Sequence, residues 1–281
     1  MQDQVAQLYL GSNTLEPLCS PLGRGEVAVF SQPCPTIENR ENEDSAAVIV
    51  ISPTTWVLAV ADGVGGIPGG RQASARALEV FARRVQRIEE TTSLLREAIL
   101  DGFDEANRAV LALGTGGCTT LAVAAIERDR IRCYHVGDSA VLVVGQRGRL
   151  KHLTVAHSPV GYAIESGMLD EADAMNHADR HLVSNVLGSD QMKIEIGPKI
   201  TLAARDTVAI ASDGVLDNIS IDQFSTLVRN GPIAKAAREL AKTTLDRMRQ
   251  TEEPNKPDDT TFVIYRPQRS GRGTKQGERS A

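Results

Sequence analysis

Short apolar runs bounded by turn-forming residues recur along the chain from Glu26 onward. Each run is six to nine residues long, and several are rich in Val and Ile, which is typical of β-strands. The predicted strands span 46–51, 56–61, 119–126, 131–136, 140–145, 194–202, 206–212 and 260–266. Because tight turns such as SPTT (52–55) and ERDR (127–130) join neighbouring runs, we expect antiparallel pairing.

Two stretches that follow the second strand have apolar residues at a helical period of 3.6. Ala73 and Phe81 lie on the apolar face of the first, and Leu95 and Phe103 on that of the second. A third helical region covers 221–250. The order of strands, two helices, strands, helix and strand differs from the regular alternation of a parallel sheet. We therefore predict an α+β fold in which helices cover two packed antiparallel β-sheets.

Three segments depart from this pattern. Residues 1–25 mix Gly, Pro, Ser and Asn without clear periodicity, so we predict an irregular lead-in before one domain spanning 26–266. The polar segment 156–188 holds three of the five histidines and lacks a sustained strand pattern. The basic tail, 267–281, is expected to be disordered, and a docking arm for acidic partners is the alternative.

Composition narrows the class of protein. With 281 residues, 41% hydrophobic and 24% charged, the chain is neither wholly disordered nor collagen-like, and its net charge of −5 argues against a general nucleic-acid binder. No apolar run reaches the roughly 18 residues that a membrane-spanning helix needs. The N-terminus lacks the pattern of a secretion signal, and the four cysteines are widely spaced, which favours free thiols. We expect a cytoplasmic monomer without a membrane span or a nucleic-acid partner.

Four aspartates stand at the ends of apolar strands, namely Asp62, Asp138, Asp213 and Asp259. An ionised carboxylate in such a place loses water, which is costly unless the charge is paired. Lys and Arg are nearly absent from the immediate flanks, so bound divalent cations are the candidate partners. An all-oxygen ligand set selects Mg²⁺ or Mn²⁺. Each aspartate taken alone could instead form a turn or cap a helix.

Six sequence blocks occur in a characteristic order. They are NED (42–44), VADGVGG (60–66), GGCTT (116–120), VGDSA (136–140), ASDGVLDN (211–218) and DDTT (258–261). In order and rough spacing they resemble the metal-dependent Ser/Thr protein phosphatases of the PP2C (PPM) family, bacterial type, over about 26–266. Segment 156–188 resembles that family's flap subdomain beside the active site. The resemblance implies two packed antiparallel β-sheets flanked by pairs of α-helices, in agreement with the element order above.

The resemblance also implies a set of metal ligands. Asp62 matches the ligand that bridges two metals, the Gly63 carbonyl binds one of them, and Asp213 and Asp259 complete the other. The implied remaining positions are Asp138, which with Asp213 matches a third and weaker metal site of bacterial members, and the acidic pair Glu43 and Asp44 near the second metal. Thr119 and Thr120 match a structural block. The expected cofactors are thus two Mn²⁺ or Mg²⁺ ions, with a place for a third.

Two positions depart from the family pattern. Arg40 is the candidate clamp for the phosphate, because a planar guanidinium fits two phosphate oxygens. The family arginine usually lies five residues before the second acidic residue, where this chain has Asn39, so a plain surface arginine is the alternative. Val64 stands where many eukaryotic members have a histidine, although bacterial members commonly have an apolar residue there.

Other residues of interest carry weaker expectations. His177 and His181 would share a face if the flap were helical there, and we favour a structural or gating role over metal binding. Asn185 is a candidate contact to a phosphopeptide. Five arginines follow the Gly-rich loop and are expected to form the wet face of a helix, with a docking patch as the alternative. They are Arg71, Arg76, Arg83, Arg84 and Arg87.

The predicted activity is hydrolysis of phosphoserine and phosphothreonine in proteins by a metal-activated water. Asp62, Asp213 and Arg40 are its candidate catalytic residues, and a bacterial-type Ser/Thr kinase is the expected opposing partner. No cysteine has the CX5R spacing of a Cys-dependent phosphatase, which supports this route. One alternative is a pseudophosphatase, a non-catalytic binding module, favoured by Val64 and by the shifted arginine. A metal-dependent nuclease is another, although the acidic charge and the block order argue against it.

Overall fold

The computed structural model describes residues 5–64, 69–88, 94–175, 177–250 and 255–268, which form two six-stranded antiparallel sheets. The first sheet contains, in spatial order, β1 (Ala6–Leu10), β4 (Ser45–Ser52), β5 (Thr55–Ala61), β6 (Leu121–Glu127), β7 (Arg130–Val136) and β10 (Glu195–Thr201). The second contains β2 (Leu18–Leu22), β3 (Gly25–Gln32), β12 (Thr260–Pro267), β11 (Thr207–Ala211), β8 (Ala140–Val144) and β9 (Leu150–Leu153).

The described residues form seven helices in addition to the two sheets. They are α1 (Gly70–Gln86), α2 (Leu95–Leu111), α3 (Pro159–Glu165), α4 (Glu171–Ala174), α5 (Asp213–Leu216), α6 (Ile221–Val228) and α7 (Ile233–Met248). Helices α1 and α2 pack on the first sheet. Phe81 of α1 and Phe103 of α2 meet edge to face with their ring centroids 5.5 Å apart, a distance typical of aromatic pairs. Helices α5, α6 and α7 cover the second sheet.

The layered arrangement explains why the strands read as continuous apolar runs. In β5, Val57, Ala59 and Ala61 face the helices, whereas Trp56 and Leu58 face the other sheet, so every residue of the strand is buried. A strand that is covered on both faces has no polar alternation. The predicted α+β sandwich of two antiparallel sheets flanked by helices is confirmed.

The N-terminal residues differ from the irregular lead-in that the sequence predicts. β1 pairs with β4, and β2 pairs with β3, so both belong to the sheets as edge strands. Each is only five residues long and largely exposed on one face, so its stability comes from backbone pairing that a hydrophobic pattern does not report. The short edge strand β9 was missed for the same reason. The predicted disordered tail lies outside the described residues from 269 onward.

The antiparallel order brings the acidic blocks to one edge of the sandwich. Each strand that ends at this edge is next to one that begins there, so residues before β4 and β12 meet residues after β5, β7 and β11. The segment 156–188, with α3, α4 and turns, lies beside the same edge. No described helix is long and apolar enough to cross a membrane.

Candidate metal centre

Five aspartates converge where the strands of the two sheets end. Asp44 precedes β4, Asp62 follows β5, Asp138 lies between β7 and β8, Asp213 begins α5, and Asp258 precedes β12. The charges of Asp44, Asp138, Asp213 and Asp258 all raise the pKa of the Asp62 carboxyl, in addition to the larger effect of its burial. The structure thus brings together four of the aspartates that the sequence singles out and adds Asp258.

The Asp62 backbone is fixed by the two threonines of the GGCTT block. Its amide donates to Thr120 Oγ1 at 3.0 Å, and its carbonyl accepts from the Thr120 amide at 2.8 Å and from Thr119 Oγ1 at 2.7 Å. Burial, followed by the charges of Asp44 and Asp213, raises the pKa of the Asp62 carboxyl well above its usual value. The threonines have the structural role expected of them, because they hold the residue that carries the charge.

Asp44 is buried more completely than a lone carboxylate tolerates, with 1% of its surface exposed. Ser212 Oγ donates to its Oδ2 at 2.9 Å, whereas its Oδ1 has no hydrogen-bond partner among the described residues. Burial and the neighbouring Asp259 charge raise the pKa of the Asp44 carboxyl well above its usual value. An orphaned carboxylate oxygen inside a cluster of like charges is what a bound cation would satisfy, so these oxygen ligands fit Mg²⁺ or Mn²⁺.

Asp138 and Asp213 form the side of the cluster nearest the flap. Burial, followed by the charge of Asp213, raises the pKa of Asp138 to about 7. Asp213 is the first residue of α5, and Lys256 forms an ion pair with its Oδ2.

Glycines directly after two of the aspartates allow the segments of the cluster to approach. A Cβ on Gly63 would lie 2.5 Å from the Gly70 carbonyl oxygen and 2.8 Å from that of Glu43. A Cβ on Gly214 would lie 1.9 Å from the carbonyl oxygen of Asp259, which is closer than atoms can come without moving the backbone. The Asp-Gly pairs are therefore required by packing, since any side chain would separate the acidic segments.

The structure does not support Asp259 as the ligand that the sequence favours in the DDTT block. Its side chain is 3% exposed, and both oxygens are already used: Oδ1 accepts from the Cys34 amide at 2.8 Å and Oδ2 from the Glu43 amide at 2.7 Å. Asp258 faces the cluster instead, and burial, followed by the charge of Asp213, raises its pKa to about 6. The sequence offers two identical neighbours, and only their tertiary contacts separate them.

Arg40 lies at the rim of the cluster, where the sequence places the phosphate clamp. Its Nη2 is 3.3 Å from Asp258 Oδ1 and 3.5 Å from Glu43 Oε2, and its Nε is 3.6 Å from Asp259 Oδ1. The preceding Asn39 adopts a left-handed backbone with a φ of 57°. Despite the shifted register, the guanidinium reaches the acidic cluster, which an ordinary surface arginine would not do.

Lys256 and Asp217 are two residues of the cluster that sequence reasoning missed. The Lys256 Nζ lies 2.7 Å from Asp217 Oδ2 and also pairs with Asp213. Burial, followed by the charge of Asp213, raises the pKa of Asp217 to about 6. Protein cations are not the partners that the sequence favours for these aspartates, yet Lys256, two residues before Asp258, pairs with Asp213 and Asp217. The sequence signal that could have found Lys256 is its position two residues before the acidic DDTT block.

Four polar residues of the flap segment lie in turns and irregular backbone rather than in a helix. His177 lies in irregular backbone and His181 in a turn, not on one helix face, because the helix α4 ends at Ala174. Asn185 is an internal anchor, since it donates to His157 Nδ1 at 2.9 Å and to the Lys193 carbonyl at 2.7 Å. Arg180 donates to the carbonyls of Met175 and Asn255, the latter at 2.9 Å, and so joins the flap to the loop before Asp258.

A second group of potential metal ligands lies at the base of the flap. His135, His157 and Glu195 each have one potential ligand atom, and the three atoms lie close enough together to bind the same ion. The two rings are stacked at 4.4 Å, so their in-plane lone pairs do not converge well on a shared point. His157 Nδ1 already accepts from the Gly137 amide at 3.1 Å, and His135 Nε2 lies 2.8 Å from the Val155 carbonyl. These hydrogen bonds favour a structural role in holding the flap against β7.

A cavity of about 700 Å³ opens between the flap and the helices α5 and α6. Asp138 and Asp213 lie at one end, and apolar side chains such as Leu153, Val160 and Leu216 line it. The cavity therefore extends directly from the acidic cluster.

The arginines of α1 are mostly paired at the surface, as a solvated helix face requires. Arg71 pairs with Glu41 at 2.7 Å, and Arg84 with Asp101 at 2.5 Å.

The Val64 amide N–H donates a hydrogen bond to the Cys118 carbonyl at 3.0 Å, and the Val64 side chain has no proton to donate. The following residues of the Gly-rich loop, 65–68, lie outside the described residues.

Comparison with known proteins agrees with this geometry. The chain is 26% identical over 201 residues to the serine/threonine phosphatase Stp of Listeria welshimeri, covering 67% of this chain and 78% of the relative. It is 28% identical over 210 residues to the protein phosphatase PhpP of Streptococcus pneumoniae, covering 72% and 84%. Its fold is similar to the catalytic domain of the serine/threonine protein phosphatase PstP in complex with two manganese ions, with a TM-score of 0.69, 23% identity and coverage of 85% and 96%.

A family-wide pattern extends these pairwise likenesses to most of the domain. The model of the family described as protein phosphatase 2C matches residues 36–256, a span that contains Glu43, Asp62, Asp138 and Asp213 together with the flap. The chain belongs to the protein phosphatase 2C family.

Proposed function

We propose that this chain removes phosphate from phosphoserine and phosphothreonine in proteins with the help of bound Mn²⁺ or Mg²⁺. The observation that carries the proposal is the buried cluster of Asp44, Asp62, Asp138, Asp213 and Asp258, within a chain of the protein phosphatase 2C family. The full set of acidic residues argues against a pseudophosphatase. Relatives described as Ser/Thr phosphatases support the substrate class.

The carboxylates divide between holding the ions and supporting the cluster. Asp62 would be a ligand of both ions, the Gly63 carbonyl would bind one of them, and Asp213 and Asp258 would complete the ligands of one ion. Glu43 and Asp44 would serve the other ion, and Asp138 lies beside Asp213. Asp259 is a support, because its two oxygens hold the backbones of Cys34 and Glu43. The chemistry that the bound ions supply is activation of a water and neutralisation of charge on the phosphoryl oxygens.

Arg40 orients the phosphate at the rim of the cluster. Its guanidinium is within 3.3–3.6 Å of Asp258 and Asp259, and 23% of its side chain is exposed, so two donors remain able to turn towards an incoming phosphate. Planar bidentate donation fixes the phosphoryl group in one orientation. The acidic residues around Arg40 keep it charged and in place between turnovers.

The flap and its cavity form the surface for the rest of the substrate. The cavity begins at Asp138 and Asp213 and is lined by apolar residues of α3 and α5, which suits side chains that flank the phosphorylated residue. The opposing partner is a bacterial-type Ser/Thr kinase that supplies these phosphoproteins. All four cysteines are free, which supports action in the reducing cytoplasm.

The test is hydrolysis of a small aryl phosphate and of a phosphothreonine peptide by purified protein. The protein is stripped with a chelator, and Mn²⁺ or Mg²⁺ is titrated back beside an Asp62→Asn variant. Turnover that requires the metal and disappears in the variant is the expected result. Metal binding without turnover would support the pseudophosphatase instead, and hydrolysis of a phosphodiester in preference to both substrates would support a nuclease.

A further inference from the structure

Lys256 places an ammonium group inside the acidic cluster rather than at the surface. Its Nζ pairs with Asp213 and lies 2.7 Å from Asp217 Oδ2, and 20% of its side chain is exposed. Its charge also lowers the pKa of Asp138, against the larger effect of burial. Three carboxylates of the flap side, Asp138, Asp213 and Asp217, therefore share one protein cation.

The lysine is held in this position by its own backbone. The Lys256 amide donates to Asn218 Oδ1 at 3.0 Å, and Asn218 Nδ2 donates to the Lys256 carbonyl at 2.8 Å and to the Gly214 carbonyl at 2.9 Å. Asn218 is 1% exposed and lies just after α5, the helix that carries Asp213. Pro257 follows and restricts the chain further. The loop with Lys256 is thus attached to the helix with Asp213 by a two-way amide contact.

Asp138 and Asp213 are the pair that the sequence suggests for a third ion. An ion between these two aspartates would need the Asp213 Oδ2 oxygen that the Lys256 ammonium already contacts. A divalent ion and an ammonium group that share one oxygen repel each other. The same carboxylates therefore cannot hold both at full strength. On the opposite side of the cluster, Arg40 contacts Asp258 and Glu43 from the rim and leaves Asp44 Oδ1 without a partner.

We propose that the Lys256 ammonium is a built-in cation of the metal centre, which takes the place of a third divalent ion beside Asp138 and Asp213. The inference rests on the proposed function, since it assumes that the other carboxylates bind two ions. Lys256 is then a positioning residue: it neutralises Asp217 and one oxygen of Asp213, and so fixes the direction in which Asp213 presents its other oxygen. The chain accordingly binds two divalent ions and no third.

The test counts bound Mn²⁺ by calorimetric titration of chelator-stripped protein, with electron paramagnetic resonance of free Mn²⁺ as a second count. The wild type is expected to bind two ions per chain, and Lys256→Met to bind three. Lys256→Arg keeps the positive charge and is expected to bind two. The matched control is Lys151→Met, because Lys151 also pairs with a buried carboxylate, Asp206, at 2.5 Å but lies away from the cluster.

The outcomes separate this inference from the proposed function. Three ions in the wild type, or two in Lys256→Met, would overturn the role of Lys256 while leaving the phosphatase intact. The wild-type count decides the matter even if Lys256→Met does not fold. No bound Mn²⁺ in the wild type would overturn both proposals, whereas two ions without hydrolysis of phosphopeptide would overturn the proposed function alone.

Discussion

Asp258 and Asp259 carry the same side chain one residue apart, and their contacts give them separate roles. Asp259 accepts hydrogen bonds from two backbone amides, Cys34 and Glu43, and so ties the loop before β4 to the start of β12. Asp258 lies at the metal centre, where burial and then the charge of Asp213 raise its pKa. A carboxylate with both oxygens used by amides is a poor candidate for direct binding of an ion, so residue identity alone does not define the site.

Changing each aspartate to asparagine should separate the two roles. We expect Asp258→Asn to weaken Mn²⁺ binding by at least about 10–100-fold, the range seen when residues that only orient a ligand are lost. Asp259→Asn can accept only one of the two amides well, so it should lower stability by about 1–3 kcal/mol. Calorimetric Mn²⁺ titration and urea unfolding measure the two effects. Equal loss of Mn²⁺ affinity in both variants would contradict the assignment.

Removal of the Asp62 charge should stabilise the metal-free protein while abolishing its activity. Burial, followed by the like charges of Asp44 and Asp213, raises the pKa of Asp62, so its charged form is costly in the metal-free protein. We expect the Tm of Asp62→Asn in chelator at pH 8 to exceed that of the wild type, by about 2–4 °C for each kcal/mol of repulsion relieved. The control is Asp104→Asn on the exposed face of α2. A lower Tm in Asp62→Asn than in both other proteins would show that the cluster is not strained.

At the scale of elements, the acidic segments can meet because a glycine, Gly63 or Gly214, follows the aspartate in two of the connecting segments. The start of α5 lies against the segment before β12, and only a glycine at position 214 leaves room for the Asp259 carbonyl. The loop after β5 approaches α1 in the same way through Gly63. The close approach of these elements, more than the strength of any single ion pair, determines where the carboxylates lie.

A methyl group at position 214 should therefore damage stability and metal binding together. We expect Gly214→Ala to cost at least about 1–3 kcal/mol, because its Cβ would collide with backbone rather than with a flexible side chain. Urea unfolding and Mn²⁺ titration are the measurements. Gly145→Ala is the control, since its nearest atom would be 3.5 Å away. A Gly214→Ala protein with wild-type stability would mean that α5 can shift freely.

The flap should matter more for proteins than for small substrates. Arg180 anchors it through the Met175 and Asn255 carbonyls, and Arg180→Met removes both contacts. If the lost hydrogen bonds stabilise the transition state by about 1.4 kcal/mol, their removal would lower kcat/KM for a phosphothreonine peptide about 10-fold. We expect a smaller loss on an aryl phosphate, and none in Arg83→Met on the exposed face of α1. Equal losses on the two substrates would refute a selective flap.

Of the four edge strands in the described part of the chain, the sequence predicts β10 but not β1, β2 or β9, whereas the strands between them were mostly predictable. Strands such as β5 and β11 are covered on both faces, so their Val-rich runs stand out in any reading of the chain. The edge strands β1, β2 and β9 are four or five residues long and partly exposed, so their apolar pattern is weak. β2 and β9 pair with their neighbours in the chain, β3 and β8, whereas β1 pairs with the distant β4, so the backbone pairing of all three leaves little hydrophobic signal.

The same limit applies to the site. Asp62, Asp138 and Asp213 were predictable because each directly follows an apolar strand or its turn. Lys256 and Asp258 lie in a loop whose direction is set by Asn218 from another element. No local pattern reports such a contact. The contact between Asn185 and His157 has no local pattern either, since the two residues are 28 apart in the chain.

At the scale of the whole molecule, metal binding and the free energy of unfolding are linked through the negative charge of the acidic cluster at one edge of the sandwich. The described cluster sets at least five aspartates against Arg40 and Lys256, so the metal-free protein carries an excess of buried negative charge. Bound divalent ions relieve this repulsion, and the folded protein is stabilised in proportion to their concentration over their dissociation constant.

Stability without metal should accordingly fall as the pH rises from 6.5 to 8. The pKa of Asp138 is raised to about 7 and those of Asp44 and Asp62 well above their usual value, so the folded state holds more protons than the unfolded state in this range. Those protons leave as the pH rises, and the stability they confer is lost. Below pH 6.5 the lowered pKa of His135, about 4, acts in the opposite direction.

Thermal unfolding in chelator across this range measures the effect. We expect the Tm to decrease towards pH 8, to decrease less in Asp138→Asn, and to recover on addition of Mn²⁺ in excess of the chelator. A metal-free Tm that is constant or rises between pH 6.5 and 8 would contradict the raised pKa values.

The hydrogen bond from Arg180 to the Asn255 carbonyl joins the flap to the residue directly before Lys256. A protein substrate that displaces the flap therefore pulls on the same loop that positions an ammonium beside Asp213. Such a coupling is reciprocal: by whatever factor a bound phosphoprotein tightens the hold on the ions, the ions tighten the hold on the phosphoprotein. The enzyme would then respond to the concentration of divalent ions through its affinity for protein substrates, whereas small phosphate esters that do not move the flap would not show this dependence.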